Sequence, residues 1–522
     1  MNLYILAIGG TGSRILKSMV MQLAAGVVPM DTNNHPIEDL TIVPIIIDPH
    51  QNNAALESVN QLLKNYRSIR KLLYKGSKVG DGFFAVNVDT LKSVALANTK
   101  DTTYSFNDSF VYQMAEVTNN EFSQFIKMSA MDDDNKLLTQ MLYSPDELST
   151  KMSEGFYGSP NIGTVALNIF KESDNFAALE GIVKQDDRMF FIGSIFGGTG
   201  AAGMPMFISS LRHNEKNQAL SKIPYGALVV MPYFSIQKDE NSKIHEADFR
   251  IKTKTALRYY EHNVNPYVNS IYYIADPLST QQFKNDDGKG GQRGNKSHVV
   301  EFIGGLSIVD FVTRPFDKDE IAEQVGNRVE AIKRDAYHYK LEQGQGLKHT
   351  DINILMIDKG MRKQLALPMM QFHLLTRFIK NHLDRETQAA FAKENQISGS
   401  SITTDFNNLI HEYEKWLFEM GNHEGFHSLR FFEDQWDPDS DEKYPYLKDY
   451  TYIFKGILPQ DGKVFGKKTL EQSDITKALN NSFDNMRKNF QPDETPLARL
   501  LKMGFPAMEK VISDKLDLKN IK

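Results

Sequence analysis

The sequence has no cysteine in its 522 residues, so disulfide bridges, thiolate catalysis and cysteine-ligated zinc are all excluded. It also lacks an apolar run of the ~18 residues that a membrane-spanning helix needs. The longest strongly apolar stretches, residues 42–47 and 227–231, are short and contain β-branched side chains, which favours buried strands. The first residues lack the charged region and apolar core of a secretory signal. We therefore expect a cytoplasmic protein without a transmembrane segment.

An excess of positive charge is also missing. Lysine and arginine total 60 and aspartate and glutamate total 66, which gives a net charge of −6. This balance disfavours a protein that binds nucleic acid over its whole surface. Apolar residues make up 41% and charged residues 24% of the chain, as in ordinary globular proteins. The length is sufficient for two or three domains with sizeable cores.

Residues 1–315 alternate between strand-like and helix-like segments. The predicted strands are residues 3–8, 41–47, 190–194, 225–231 and 270–274, and the predicted helices are residues 14–25, 56–73, 204–211, 248–262 and 298–312. Such alternation is typical of an α/β fold with a doubly wound, mainly parallel sheet. In that fold ligands bind at the carboxyl ends of the strands.

The pattern changes after residue 315. Residues 319–340 and 361–383 have the spacing of long amphipathic helices, and residues 352–357 and 452–458 are predicted to be strands. We place a domain boundary here. The prediction is an α/β domain over residues 1–315, ending in a central helix near 298–312, and a helix-rich α+β domain over residues 316–522.

A glycine-rich turn follows the third predicted strand, in the order Gly197-Gly198-Thr199-Gly200-Ala201. Glycines let backbone N–H groups approach phosphate oxygens without a side chain in the way. The helix that follows adds unpaired N–H groups and a favourable dipole. Because the turn has no lysine, it is not a Walker A loop, and the phosphate charge has to be balanced by backbone groups and a metal ion.

A second glycine turn, Gly9-Gly10-Thr11-Gly12-Ser13, follows the first strand. Turns of this kind also begin dinucleotide-binding folds, but the last glycine of that pattern is replaced here by Ile15. Asp48 lies at the end of the second strand, where it could contact a ribose or a metal ion. Both turns could also be simple tight connections between a strand and a helix.

These segments, in this order, resemble the nucleotide loops of the tubulin/FtsZ superfamily of filament-forming GTPases, and the divergent bacterial tubulin-like group most of all. The segment 197–201 is similar to the superfamily's glycine-rich signature, from which Phe196 and Ala202 depart. The segments 8–14 and 46–49 resemble its first and second nucleotide loops. The stretch between Asp48 and Gly197 is longer than in the family, which implies an insertion around residues 60–160.

The resemblance implies that the chain binds GTP or GDP, with Mg²⁺ near Asp48. Gly158 is a candidate for the loop that faces the terminal phosphate, and Pro232 for the strand end that reaches the ribose. Asp276 stands where the family usually has a base-reading asparagine, and Glu301 of the central helix is a second candidate base contact. The predicted binding residues are Gly9, Gly10, Thr11, Gly12, Ser13, Asp48, Gly158, Gly197, Gly198, Thr199, Gly200, Ala201, Pro232, Asp276 and Glu301.

Family members stack head to tail, and a loop after the central helix brings acidic residues to the next subunit's nucleotide. Asp317, Asp319 and Glu320 form the acidic cluster nearest to that position, although they also fit the start of a helix. The resemblance therefore implies a self-assembling GTPase, with nucleotide binding better supported than hydrolysis.

Two alternatives stay open. One is a nucleotide-stabilised structural or adaptor protein with little turnover and with a protein partner, for example in membrane remodelling or phage defence. The other is an enzyme that uses an NAD-type dinucleotide.

Overall fold

The computed structural model describes residues 1–50, 54–75, 80, 82–99, 104–156, 158–233, 235–236, 246–276, 282–283, 296–316, 359–422, 431–434, 436–440, 447, 449–457 and 469–516. The strands in these ranges are β1 (Asn2–Ile8), β2 (Thr41–Ile47), β3 (Asn87–Val88), β4 (Arg188–Ser194), β5 (Tyr225–Val230), β6 (Ser235–Ile236), β7 (Ser270–Ile274) and β8 (Gln282–Phe283). Strands β6 and β8 form a separate parallel pair.

The other six strands form one parallel sheet in the order β3-β2-β1-β4-β5-β7. The strands β2 and β5 are buried along their whole length, as expected of a parallel sheet that is covered on both faces. The direction of strand addition reverses between β1 and β4, which makes this the topological switch point of the sheet. The predicted fold class, a doubly wound and mainly parallel α/β sheet, is confirmed.

The α-helices of the described ranges are α1 (Gly9–Ala24), α2 (Ala54–Leu73), α3 (Leu91–Asn98), α4 (Ala115–Thr118), α5 (Phe122–Phe125), α6 (Asp133–Leu142), α7 (Pro145–Leu148), α8 (Pro160–Leu167), α9 (Asp174–Ile182), α10 (Gly198–Arg212), α11 (Gln218–Lys222), α12 (Glu246–Asn263), α13 (Val299–Thr313), α14 (Lys359–Met361), α15 (Leu367–His382), α16 (Ala390–Lys393), α17 (Thr404–Gly421), α18 (Gln472–Met486) and α19 (Pro496–Lys515). A π-helical segment, Arg362–Ala366, leads into α15. Short 3₁₀ helices are Met128–Ala130, Met152–Glu154, Asn168–Glu172, Asn265–Tyr267, Leu383–Arg385, Gly399–Ser401 and Tyr450–Gly456.

The side chains of β1 alternate between the two faces of the sheet, because successive residues of a strand point in opposite directions. Leu3, Ile5 and Ala7 pack into a core with α1, α2 and α13. Tyr4, Leu6 and Ile8 pack into a second core with α3, α8, α9 and α10. The sheet is therefore sandwiched between two layers of helices.

The C-terminal helices extend the first of these cores. The helix α2 packs against α17, and α19 packs against α15 and α18. The apolar side chains of these helices belong to the same buried cluster as α1 and α13. The described part after residue 359 thus shares a continuous core with one face of the sheet.

The predicted helix at 298–312 is confirmed as α13, and most of the predicted helix at 361–383 is present as α15. The predicted strand at 452–458 is wrong, because residues 450–456 form a 3₁₀ helix. Its buried residues Tyr450, Ile453, Phe454 and Ile457 follow helical spacing and not the alternation of a strand. The predicted helix at 319–340 and the predicted strand at 352–357 lie outside the described residues. None of the helices in the described ranges has the length and apolar character needed to cross a membrane.

Candidate functional site

The register of the sheet brings the ends of its strands to one edge. Ile8 of β1 lies beside Ile47 of β2, and Ala7 lies beside Ile192 of β4. Ile192 in turn lies beside Leu228 of β5, which lies beside Tyr272 of β7. Because all these strands are parallel, the segments that follow them all leave from this carboxyl edge. Both predicted glycine turns are at this edge, one on each side of the switch point.

The two glycine turns lie against each other. Gly9 has a φ of +76°, a conformation that favours glycine. A Cβ atom built at Gly9 would be 3.4 Å from Cβ of Thr199 and 3.6 Å from the backbone nitrogen of Gly200. The helices α1 and α10 therefore start side by side.

The starts of these two helices are open. Neither Ile8, the residue before α1, nor Gly197, the residue before α10, caps its helix through a side chain, and neither first turn contains an acidic residue. Gly10 is exposed, and a Cβ atom built there would have no heavy atom within 4 Å. The first N–H groups of a helix have no acceptor within the helix and carry partial positive charge. Two such ends next to each other form a place for an anion.

Other residues of the turns hold the helices close to the sheet. A Cβ atom on Gly12 would lie 2.8 Å from the carbonyl carbon of Ala7, and one on Gly200 would lie 2.6 Å from the backbone nitrogen of Ser194. The hydroxyl of Ser13 is buried and donates to the carbonyl of Gly9 at 3.3 Å. Ala201 is buried as well. Among the predicted binding residues, these four are thus positioned by packing, whereas Gly10 faces open space.

A third segment, the loop before α8, packs on the second turn. A Cβ atom on Gly198 would be 3.2 Å from the backbone nitrogen of Gly158 and 3.3 Å from that of Ser159. Gly158 has a φ of +73°, and Ser159 precedes α8 without capping it through its side chain. The start of α8 therefore lies next to the start of α10, at the same edge.

Sequence analysis did not identify Lys252, which lies next to this loop. The ammonium group of this α12 residue donates to the carbonyl of Gly158 at 2.9 Å. It places a positive charge beside glycine turns that contain no lysine themselves. In the sequence, Lys252 is a basic residue of a predicted helix, 94 positions from Gly158. No local pattern indicates that the two residues are in contact.

Asp48 follows β2 at the same edge and is buried. Its carboxylate accepts a hydrogen bond from the backbone N–H of His50 at 3.0 Å. Burial raises the pKa of Asp48 to about 6, and the contacts with His50 oppose that rise only in part. A nearby cation would favour the charged form of this carboxylate.

Asp48 fits Mg²⁺ as one ligand that works together with phosphate oxygens. Among the described residues there is no group of three or more His, Asp or Glu side chains that could hold a metal ion. Mg²⁺ is commonly bound by one or two carboxylates, several waters and the phosphates of a substrate. The residues present therefore suit a nucleotide-bound Mg²⁺ and not a site made of protein ligands alone.

A buried polar cluster lies further along the edge, beyond β5 and β7. The backbone N–H of Asp276 donates to the carbonyl of Pro232 at 3.3 Å. A carboxylate oxygen of Asp276 is 3.5 Å from Nε2 of His298. Nδ1 of His298 accepts from the backbone N–H of Val300 at 3.1 Å, which leaves the proton of the neutral ring on Nε2, towards Asp276.

Glu301 has several partners inside the protein. Arg14 of α1 forms an ion pair with it at 2.6 Å, the hydroxyl of Tyr233 is 3.3 Å away, and the backbone N–H of His298 donates to it at 3.3 Å. Burial raises the pKa of Glu301, and Arg14 opposes that rise. The structure thus brings Glu301 and Asp276 into one cluster with Arg14, Tyr233 and His298. A contact of either carboxylate with a base stays a prediction.

The central helix α13 connects this cluster to the opposite edge of the sheet. Arg188, the first residue of β4, donates to the carbonyls of Phe311, Val312 and Arg314 at the end of α13, at 2.8, 2.8 and 2.9 Å. The ring of Phe316 lies 4.9 Å from the guanidinium carbon of Arg188. The chain therefore leaves α13 at the amino edge. The predicted catalytic residues Asp317, Asp319 and Glu320 lie outside the described residues.

No family model matches this chain, and no curated protein matches it. Among solved structures, CetZ2 from Haloferax volcanii, in a GTPγS-bound protofilament, is similar over 62% of this chain and 63% of its own, with 10% sequence identity and a TM-score of 0.28. The match thus spans less than two thirds of the length of CetZ2.

Proposed function

We propose that this protein binds a guanine nucleotide, GTP or GDP, with the phosphates between the two glycine turns. The observation that carries the proposal is the pair of open helix starts, α1 and α10, which lie side by side at the switch point. Gly10 faces open space there, so a phosphate oxygen can approach the backbone N–H groups directly.

Each remaining part of the site has a place in this proposal. Gly9, Gly10, Thr11, Gly198 and Thr199 supply N–H and hydroxyl donors to the phosphates. The ammonium group of Lys252 balances charge near the loop of Gly158. When Mg²⁺ is bound with the nucleotide, Asp48 would hold it, and the ion would neutralise phosphate charge.

We propose guanine as the base at the far end of the site. The carboxylate of Asp276 offers only acceptors, which suits the N1 and N2 donors of guanine. Pro232 and Tyr233 directly follow β5 and contact Asp276 and Glu301 respectively, and the proposal assigns the ribose to this strand end.

The alternative of an NAD-type dinucleotide enzyme is less well supported. The strand order is shared with that fold and does not separate the two proposals. However, a dinucleotide-binding fold has no evident use for a second glycine turn after β4. The buried side chain of Ile15 also occupies the position of that fold's third glycine.

We further propose that the chain self-associates and that hydrolysis takes place at the contact between copies. The chain leaves α13 at the amino edge, and a helix of this length spans ~22 Å at 1.5 Å per residue. The proposal assigns the acidic residues that follow in the sequence to the site of a neighbouring copy, because Phe316 lies at the amino edge, away from the glycine turns. The second candidate is a cytoplasmic structural protein that binds the nucleotide with little turnover, because the acidic segment after α13 also fits the start of a helix in the sequence.

The binding proposal is tested by thermal unfolding in the presence of GTP, GDP, ATP and NAD, each with and without Mg²⁺. A ligand at 100 times its Kd stabilises the folded protein by about 2.7 kcal/mol. We expect GTP and GDP to raise the melting temperature at concentrations where NAD has no effect. A rise with NAD alone would establish the dinucleotide alternative instead.

The hydrolysis proposal is tested by dilution. If each active site needs two copies, GTP turnover per molecule should fall as the protein is diluted below its self-association range. Turnover per molecule that stays constant on dilution would establish a self-contained site. No turnover at any concentration, with nucleotide binding intact, would establish the structural protein.

A further inference from the structure

The helix α6 exposes a row of large apolar side chains. Met141 is 77% exposed, Leu142 63%, Leu137 59% and Leu138 53%. Single exposed apolar residues are normal, but a contiguous patch is typical of an interaction site. Here the four exposed apolar residues lie within residues 137–142, the last turn and a half of the ten-residue helix α6. Thr139 is the buried residue of this helix.

The same side of α6 is acidic at its start. Asp133 and Asp134 are exposed in the first turn. They lie four residues before Leu137 and Leu138, and residues that far apart are neighbours on a helix surface. We call this set, Asp133, Asp134, Leu137, Leu138 and Met141, the α6 stripe. A surface that covers this stripe should combine apolar side chains with positive charge.

The α6 stripe lies near the phosphate edge. Only Tyr143 and Ser144 separate α6 from α7, and Ser144 caps α7 together with Glu147. Glu147 accepts a hydrogen bond from Asn161, in the first turn of α8, at 2.8 Å. The start of α8 adjoins the glycine turns, so a molecule that covers α6 also approaches the nucleotide site.

The chain itself carries a surface of complementary chemistry on α12. Ile251 is 69% exposed and Tyr259 is 53% exposed, and Lys254 and Arg258 are exposed between them. Ile251, Lys254 and Arg258 follow one another at intervals of three and four residues, and Tyr259 comes directly after Arg258, so the four lie within about 140° of the helix surface. We call them the α12 stripe. Both stripes span nine residues, which corresponds to a rise of ~12 Å between the first and the last.

We propose that the α6 stripe docks on the α12 stripe of a second copy of this chain. Leucine and methionine of α6 would pack against Ile251 and Tyr259, and the aspartates of α6 would pair with Lys254 and Arg258. An α6 to α6 contact would instead bring acidic residues against acidic residues. That the partner is a second copy of this chain rests on the self-association in the proposed function. That the α6 stripe contacts the α12 stripe rests on the exposed residues of the two helices.

Charge reversal tests the pairing. One variant carries Asp133→Lys and Asp134→Lys, and a second carries Lys254→Glu and Arg258→Glu. Each should shift the concentration midpoint of self-association at least tenfold upwards, measured by analytical ultracentrifugation with GTP and Mg²⁺. A third variant with all four changes should regain most of the lost association, because every contact is then complementary again. The matched control, Lys64→Glu with Lys71→Glu on the exposed side of α2, should leave the midpoint unchanged.

The apolar part is tested by Leu138→Ser with Met141→Ser, which should weaken self-association at least tenfold. Melting temperature and GTP binding are measured for every variant, and both should stay at the level of the unmodified protein. Self-association that is unchanged in both reversal variants, or that the four-change variant does not restore, would overturn the pairing while leaving nucleotide binding untouched. A protein that stays monomeric with and without GTP would also overturn it.

Discussion

Gly10 is the position at which a side chain can be added to the phosphate turn without a clash. It is exposed, its φ is not positive, and a Cβ atom there has no neighbour within 4 Å. Gly10→Val should therefore change the free energy of unfolding by less than about 1 kcal/mol, because valine is not a worse helix former than glycine. The new side chain would nevertheless occupy the space that the proposal gives to a phosphate oxygen.

The expected loss of affinity follows from the hydrogen bonds that this oxygen would make. A hydrogen bond to a charged group contributes about 1.5–3 kcal/mol. The loss of one such bond raises Kd roughly 10- to 150-fold. Isothermal titration with GTP and Mg²⁺ measures Kd, and urea unfolding of the same preparation measures stability.

Gly12→Ala is the matched control, for which we expect a loss of stability. A Cβ atom there would lie 2.8 Å from the carbonyl carbon of Ala7 and 3.2 Å from the carbonyl oxygen of Ile192. Both neighbours are backbone atoms of the central strands, so the substitution should destabilise the fold by about 1–3 kcal/mol. Wild-type GTP affinity in a stable Gly10→Val variant would refute the placement of phosphate in these turns.

Three further predictions concern charged residues around the site. Burial raises the pKa of Asp48 to about 6, so the protonated carboxyl group stabilises the fold below pH 3.8, and this stabilisation is lost as the pH rises through about 6. Asp48→Asn should therefore raise the melting temperature of the nucleotide-free protein at about pH 8. The same substitution should remove the effect of Mg²⁺ on GTP affinity. Arg14→Ala should destabilise the protein by about 3–5 kcal/mol in urea unfolding, because it leaves the buried carboxylate of Glu301 without its ion-pair partner, while Arg14→Lys should cost less. Lys252→Ala should weaken GTP binding about tenfold in a titration, because a cation beside Gly158 is lost, with the melting temperature unchanged.

The sheet and its turns could be predicted because their signals are local. The strands are short apolar runs, and each glycine turn lies between a strand and a helix in the sequence itself. Parallel strands bring their carboxyl ends to one edge, so the shared location of Gly9, Asp48 and Gly198 followed from the fold class alone. The central helix could be predicted in the same way, from a continuous apolar stretch.

Contacts between distant segments could not be predicted from the sequence. The contact of Lys252 with Gly158 and the ion pair of Arg14 with Glu301 depend on how the helices cross the sheet. The resemblance suggested Glu301 as a base contact, but no local pattern indicated that Arg14, Tyr233 and His298 would surround it. The incorrect strand at 452–458 has a related cause, since a short apolar run does not by itself distinguish a strand from a helical turn.

A crystal structure of the protein with GTPγS and Mg²⁺ tests the central claim most directly. The proposal predicts that the phosphates lie between α1 and α10, with their oxygens within hydrogen-bond distance of the backbone N–H groups of Gly10 and Thr199, and that Mg²⁺ lies on the side of Asp48. A nucleotide bound elsewhere, for example in the open cavity lined by His382, Glu386 and Lys477, with the glycine turns unoccupied at saturating concentration, would contradict it.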